Sequence, residues 1–214
     1  TPAERRDAQR DLGVALGWAA RIMSTAPPLA RVAATQALPR LEAAVRDRPG
    51  DRLARESLGR VLGMLDRPEE ALRAFEEVLR IEPGHEETLR SAGQVLARLR
   101  RPEAARAAVQ KAIAVDPWRS NHHLALARVC SQAGDWAGAI AACRTAIRLN
   151  PELIAARTLL VQCYLHSHQP EKADAEFRTV LGFFPAGREV WQQWYDSQKQ
   201  AGPARGDVPG GGEP

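Results

Sequence analysis

The sequence has few aromatic residues and few cysteines. Phe, Trp and Tyr make up only 5% of its 214 residues. Ala and Leu supply much of the apolar fraction, which favours closely packed helices over a β-sandwich. The three cysteines, Cys130, Cys143 and Cys163, are an odd and sparse set, which argues against a disulfide framework. We expect three small buried thiols.

Long hydrophobic runs and targeting signals are also missing. The longest apolar run extends from Leu12 to Ala20 and is followed by Arg21. It is too short to cross a bilayer, which takes about 20 residues. No signal-peptide pattern is visible. We therefore expect a soluble protein and slightly favour the cytoplasm. The chain begins with Thr1 rather than Met, however, which is consistent with a piece of a longer protein.

The charged residues do not form a pattern typical of nucleic-acid binding or catalysis. The net charge is +4 and the arginines are spread along the whole chain, whereas a nucleic-acid binder normally concentrates them on one face. The sequence contains no Gly-rich phosphate loop and no nucleophile elbow, and paired carboxylates for acid–base chemistry are not indicated. We predict no enzymatic activity, no cofactor and no nucleic-acid partner.

One group of side chains has the chemistry of a metal site. Cys163, His166 and His168 lie close together in the sequence, and Cys and His are the usual ligands of zinc. A fourth ligand is missing, however, and the spacing matches no common zinc pattern. We predict no metal site here and interpret the histidines as polar turn residues.

Prolines recur at a fixed interval. They stand at positions 49, 83, 117, 151 and 185, each 34 residues from the next. Each follows an apolar helical segment that proline cannot continue. Aligning the chain on these prolines gives four units, 52–85, 86–119, 120–153 and 154–187. Each unit splits into two amphipathic helices, and three of the second helices begin with proline, namely Pro68, Pro102 and Pro170.

Small and apolar residues recur at matching places in the four units. Gly59, Gly93 and Ala127 recur in the first helices, and an alanine recurs in each second helix at positions 71, 105, 139 and 173. This pattern resembles the tetratricopeptide repeat family, although the opening Trp is replaced by Arg55, Leu89, His123 and Arg157. The resemblance implies an all-α fold, a right-handed superhelical α-solenoid of antiparallel helix pairs, which is stabilised by stacking.

The ends of the chain are less regular. Residues 1–51 are predicted to form an N-terminal helix and a degenerate repeat whose helix runs from about Thr35 to Arg48. The apolar stripe of the N-terminal helix carries Ala8, Leu12, Ala15, Leu16, Ala19 and Met23. Pro27-Pro28 would end the first helix, and Pro39 would have to lie in the first turn of the next. Residues 188–200 are predicted to form a capping helix and residues 201–214 a disordered tail.

The family resemblance implies a concave groove that is lined by the first helices and takes a peptide or a partner helix. Projected onto this sequence, the inner face carries Glu56, Arg60, Met64, Glu87, Arg90, Gln94, Arg98, Asn121, Leu124, Arg128, Thr158, Gln162 and His166. Its arginines appear in the sequence with few acidic neighbours. Because guanidinium groups suit carboxylates, we predict an acidic or carboxylate-bearing ligand segment.

The leading functional hypothesis is a non-enzymatic scaffold for protein–protein interaction. One alternative is an accessory region of a larger bacterial enzyme or multihaem redox protein, since such repeats are often attached to catalytic modules. A second alternative is self-assembly through the groove or through Trp191 and Trp194, because exposed apolar ends invite stacking.

Overall fold

The chain folds into helices connected by short turns. The computed structural model describes residues 2–22, 27–184 and 187–201, and over these residues it contains eleven helices and no strand. The predicted all-α class is confirmed. The helices are α1 (Pro2–Ile22), α2 (Pro27–Asp47), α3 (Arg52–Met64), α4 (Pro68–Ile81), α5 (Glu86–Arg98), α6 (Pro102–Val115), α7 (Ser120–Gln132), α8 (Trp136–Leu149), α9 (Ile154–His166), α10 (Pro170–Phe183) and α11 (Arg188–Ala201).

The chain divides into two compact units. The N-terminal unit, Thr1–Pro117, contains α1 to α6, and the C-terminal unit, Trp118–Pro214, contains α7 to α11. Within each unit a helix packs against the next one in the chain, and first helices also contact one another: α3 touches α1 and α5, and α9 touches α7 and α11. None of the helices in the described ranges combines the length and apolarity needed to cross a membrane.

Helix starts follow local sequence signals. Pro68, Pro102 and Pro170 occupy the first positions of α4, α6 and α10, where a missing N–H has no effect on hydrogen bonding. Asp51 and Asp135 cap α3 and α8 by accepting hydrogen bonds from the backbone N–H groups of Ala54 and Gly138.

Within a helix pair, a small residue on the first helix faces a larger one on the second. A Cβ atom added to Gly59 would lie 2.6 Å from the Phe75 ring, and one added to Gly93 would lie 2.4 Å from Val109 Cγ2. In the third pair, at the same register positions, Ala127 and Cys143 are fully buried in one cluster. The small residue therefore sets how closely the two helices approach.

The turn inside each pair contains one residue with left-handed backbone. These residues are Asp66 (φ 63°), Arg100 (φ 57°), Gly134 (φ 77°) and His168 (φ 56°), spaced 34 residues apart. Only one of the four is glycine, although this conformation costs about 1–2 kcal/mol for other L-residues. The turn geometry therefore requires the left-handed conformation in every pair, whichever residue type stands there.

Replacing Arg100 by Gly is expected to stabilise the protein. The side chain of Arg100 is exposed at the turn, so the substitution removes mainly the left-handed strain and should raise the free energy of unfolding by about 0.5–1 kcal/mol. The matched reverse change, Gly134→Ala, should lower it by about 1 kcal/mol. Urea denaturation of both variants measures this, and equal stabilities would contradict a shared left-handed position.

The predicted start of the second helix, at about Thr35, is wrong. The structure places one helix from Pro27 to Asp47, with Pro39 inside it rather than in a first turn. Pro27 begins this helix, because its missing N–H is not needed at the first helical position. Because Pro39 has no N–H, the helix lacks one backbone hydrogen bond at this residue. Two side chains nearby donate to other carbonyl groups of the same helix: Thr35 Oγ1 to Arg31 at 2.9 Å and Arg40 Nη1 to Gln36 at 2.5 Å.

The predicted apolar stripe of α1 is buried only in part. Ala8, Leu12 and Ala15 are exposed, whereas Leu16 and Ala19 are half-buried and Leu16 packs against core residues of α2 and α3. Met23, the last residue of the predicted stripe, lies outside the described residues. Gly13 is buried and Gly17 half-buried, and added Cβ atoms there would be 3.0 Å from Arg40 Cβ and 3.2 Å from Val61 Cγ2. Close backbone approach at these glycines therefore helps to set which side of α1 faces α2 and α3.

The helix α11 packs on the C-terminal unit through aromatic rings. The Tyr195 ring stacks on Phe177 with centroids 4.1 Å apart, and its hydroxyl donates to Asp174 Oδ1 at 2.5 Å. Trp191 stacks on Phe184 at 5.2 Å. The capping role remains a prediction. The expected disorder of the tail concerns residues that, apart from Ala201, lie outside the described part of the chain.

Candidate functional site

Four charged residues converge where α3 and α5 lie side by side. Glu56 and Arg60 stand one turn apart on α3, with Arg60 Nη2 donating to Glu56 Oε1 at 2.5 Å. Glu87 and Arg90 stand on α5, with Arg90 Nη2 donating to Glu87 Oε2 at 2.6 Å. Arg60 Nη2 also lies 3.7 Å from Glu87 Oε2, which links the two helices. We call these four residues the charged cluster.

The charged cluster is partly shielded from water. The side chains of Arg60, Arg90 and Glu87 are 23%, 17% and 29% exposed, so their charges are less screened than those of a surface pair. Arg90 Nη1 reaches Gln94 Oε1 at 3.4 Å. Its Nε is buried and has no hydrogen-bond acceptor within the described ranges. Arg90 is thus held in place while one of its donors is unused.

Arg98 lies at the end of α5 and contacts the turn after α3. Its Nη1 donates to the Gly63 carbonyl at 2.6 Å, and its Nη2 donates to Asp66 Oδ1 at 2.5 Å. A cation near the last carbonyl groups of α3 is also favoured by the helix dipole. The residue connects two successive first helices and is largely committed to that contact.

The expectation that these arginines have few acidic neighbours is wrong. Arg60 pairs with Glu56 and Glu87, Arg90 pairs with Glu87, and Arg98 pairs with Asp66. Glu56 is itself buried, with 5% of its surface exposed. The sequence placed Glu56 and Glu87 on the same face, one helical turn from Arg60 and Arg90, but it did not show that Glu87 also reaches Arg60 or that Asp66 reaches Arg98.

The predicted residues of the C-terminal unit lie on α7 and α9. Asn121 and Arg128 are exposed on α7, whereas the predicted Leu124 is buried in the core. Gln162 on α9 donates to Gln198 Oε1 of α11 at 2.9 Å. His166 stacks on Trp136, with centroids 4.5 Å apart and planes 7° from parallel. Gln162 and His166 therefore serve helix packing within this unit.

The three cysteines are buried free thiols, as expected. Cys143 on α8 hydrogen-bonds with Cys163 on α9, and this contact together with burial raises the pKa of the Cys143 thiol. In the described ranges no three or more His, Cys, Asp and Glu side chains are grouped so as to hold a metal ion. Instead, His166 stacks on Trp136 and His168 occupies the left-handed turn position.

Two arginines that replace the signature tryptophan hold helix pairs together. Arg55 and Arg157 each donate to the carbonyl of the preceding repeat proline, Pro49 and Pro151. Both also form an ion pair with a glutamate of the partner helix, Arg55 with Glu77 of α4 at 3.7 Å and Arg157 with the largely buried Glu176 of α10. Sequence reasoning treated these positions as lost signature residues. Their 102-residue spacing, three repeat periods, was the available signal.

Comparison with protein families agrees with this architecture. Two models of the tetratricopeptide repeat match the chain, one over residues 34–86 and 90–154 and the other over residues 131–192. The chain belongs to the tetratricopeptide repeat family. Members of this family are protein-interaction modules, which is the functional class expected from the resemblance. No curated protein matches the sequence significantly.

Solved tetratricopeptide structures share the fold. A thermophilic tetratricopeptide protein from Thermus thermophilus is 20% identical, with a TM-score of 0.72 over 88% of this chain and 98% of that one. MamA from Desulfovibrio magneticus is 22% identical, with a TM-score of 0.63 over 78% of this chain and 94% of that one. At these identities the likeness concerns the fold alone.

Proposed function

We propose that this tetratricopeptide protein is a non-enzymatic scaffold that binds an acidic segment of a partner protein on the α3–α5 face of its N-terminal unit. The observation that carries the proposal is the pair Arg60 and Arg90. Their guanidinium groups come from different helices, approach the same carboxylate oxygen of Glu87, and stay partly exposed. Such a pair can receive a carboxylate from a ligand in the same way.

The shielding of the charged cluster supports a specific contact rather than a diffuse charge effect. Exposed ion pairs contribute little, about 0–1 kcal/mol, whereas charge-assisted hydrogen bonds in a partly desolvated site contribute more. The two arginines are pre-positioned by Glu56 and Gln94. Little side-chain entropy is then lost when a ligand binds.

Charge reversal of both arginines tests the proposal. The Arg60→Glu/Arg90→Glu variant is expected to lose binding of a fluorescein-labelled hexaglutamate peptide at least tenfold, because attraction becomes repulsion. Fluorescence anisotropy at about 50 mM salt measures the affinity, since the contact weakens as salt screens it.

The matched control reverses two arginines on the other side of the same unit. Arg73 and Arg80 are exposed on the second helix α4, so Arg73→Glu/Arg80→Glu changes the net charge by the same amount without touching the α3–α5 face. We expect this variant to lose no more than about twofold in affinity. Equal loss in both variants would assign the binding to overall charge, and no loss in either would move the binding site elsewhere.

A further inference from the structure

The carboxylate of Glu87 occupies the place where a ligand carboxylate would bind. Its Oε2 lies 2.6 Å from Arg90 Nη2 and 3.7 Å from Arg60 Nη2. One oxygen atom therefore receives two guanidinium groups from two helices. Glu87 thus orients both guanidinium groups toward one carboxylate, as a ligand carboxylate would.

Glu87 also has a second favourable position close by. It stands in the first turn of α5, together with Glu86. Carboxylates in the first turn are stabilised by the unsatisfied N–H groups and the dipole of a helix N-terminus. If a ligand takes the two arginines, Glu87 can rotate away and still lie near the positive end of α5. Its displacement therefore costs less than breaking an isolated ion pair.

We infer that Glu87 is an internal competitor that sets the ligand specificity of the α3–α5 face, an inference that rests on the proposed function. A partner must present a carboxylate that displaces Glu87 from both arginines. A segment with only backbone carbonyl or amide groups lacks the charge to replace it. The face thus favours acidic segments with closely spaced carboxylates, which re-form both contacts at once.

The neutral isostere of Glu87 separates this inference from a merely structural role. Glu87→Gln keeps the size of the side chain and removes the competing charge from Arg60 and Arg90, while their contacts with Glu56 and Gln94 stay in place. We expect the variant to bind labelled hexaglutamate about tenfold more tightly than the wild-type chain. A neutral hexaglutamine peptide should show no such gain. Glu76→Gln, an exposed change on α4, is the matched control and should leave the affinity unchanged.

The outcomes distinguish the inference from the proposed function. Tighter hexaglutamate binding by Glu87→Gln but not by Glu76→Gln supports the competitor role. Equal affinity of Glu87→Gln and wild type, with binding still lost in Arg60→Glu/Arg90→Glu, overturns the competitor role and leaves the proposed function standing. An equal gain in Glu76→Gln assigns the effect to net charge and overturns it as well. Absence of hexaglutamate binding in wild type and Glu87→Gln alike overturns both.

Discussion

Replacing Gly93 by Ala is expected to lower the free energy of unfolding by about 3 kcal/mol, a large loss for one methyl group. The new Cβ would lie 2.4 Å from Val109 Cγ2 and 3.0 Å from the Ala105 carbonyl oxygen. Val109 is β-branched and stiff, and the carbonyl belongs to the backbone of α6. Relief therefore requires α5 and α6 to move apart, which loosens the core contacts of that pair. Urea denaturation followed by circular dichroism measures the loss.

Two further variants test the cause of the Gly93 effect. Gly84→Ala adds the same methyl group in a turn where no atom lies within 4 Å, and it should change stability by less than about 0.5 kcal/mol. Gly93→Ala combined with Val109→Cys reproduces the Ala127 and Cys143 pair of the third repeat. This double variant should recover part of the loss. If the double variant is as unstable as the sum of its single changes, the Val109 contact is not responsible.

Replacing Tyr195 by Ala is expected to detach α11 from the C-terminal unit. The residue is 2% exposed, stacks on Phe177, and donates its hydroxyl hydrogen to Asp174. Losing a buried aromatic ring costs about 3–5 kcal/mol, and we expect that the remaining contacts of α11, such as the Trp191–Phe184 stack and the hydrogen bond between Gln162 and Gln198, do not offset this loss. Hydrogen exchange should show fast exchange across α11, and the fluorescence of Trp191 and Trp194 should shift toward that of solvated indole.

A conservative change divides the Tyr195 contribution into its parts. Tyr195→Phe keeps the ring stack and removes the hydroxyl, so it should cost only about 1 kcal/mol. The hydrogen bond from Tyr195, followed by that from Lys199, keeps the pKa of Asp174 below its ordinary value. The Phe variant should therefore raise that pKa, which NMR titration of the carboxyl group can follow. A loss as large as that of the Ala variant would mean that the hydroxyl, and not the ring, holds the helix.

The two predictions concern the same register position in different repeats. Gly93, Ala127, Val161 and Tyr195 are each 34 residues apart. The first two stay small because a second helix packs closely on them. Tyr195 is large and its ring packs on Phe177 of the preceding second helix α10. A small residue at this position lets the second helix of the same pair pack closely, as at Gly93. A large residue, as at Tyr195, packs instead against the second helix of the preceding pair.

The candidate site was only partly predictable. The repeat register placed Arg60, Arg90 and Arg98 on the inner faces of two successive first helices, and Arg90 and Arg98 share a face because they lie about two turns apart on α5. It could not reveal that Glu87 bridges two arginines or that Asp66 pairs with Arg98. Those contacts join different helices, and side-chain reach across an interhelical gap is not encoded in the period of either helix.

By itself, the sequence determined the repeat architecture. The 34-residue proline interval and the recurring small residues sufficed to predict the helix pairs, because helix termination by proline and close packing at glycine are local effects. Only the tertiary structure decided how much of the α1 stripe is buried, that Pro39 lies inside α2, and which acids reach the arginines from a neighbouring helix or turn. These depend on how closely two backbones approach, and a residue's neighbours in space set that distance.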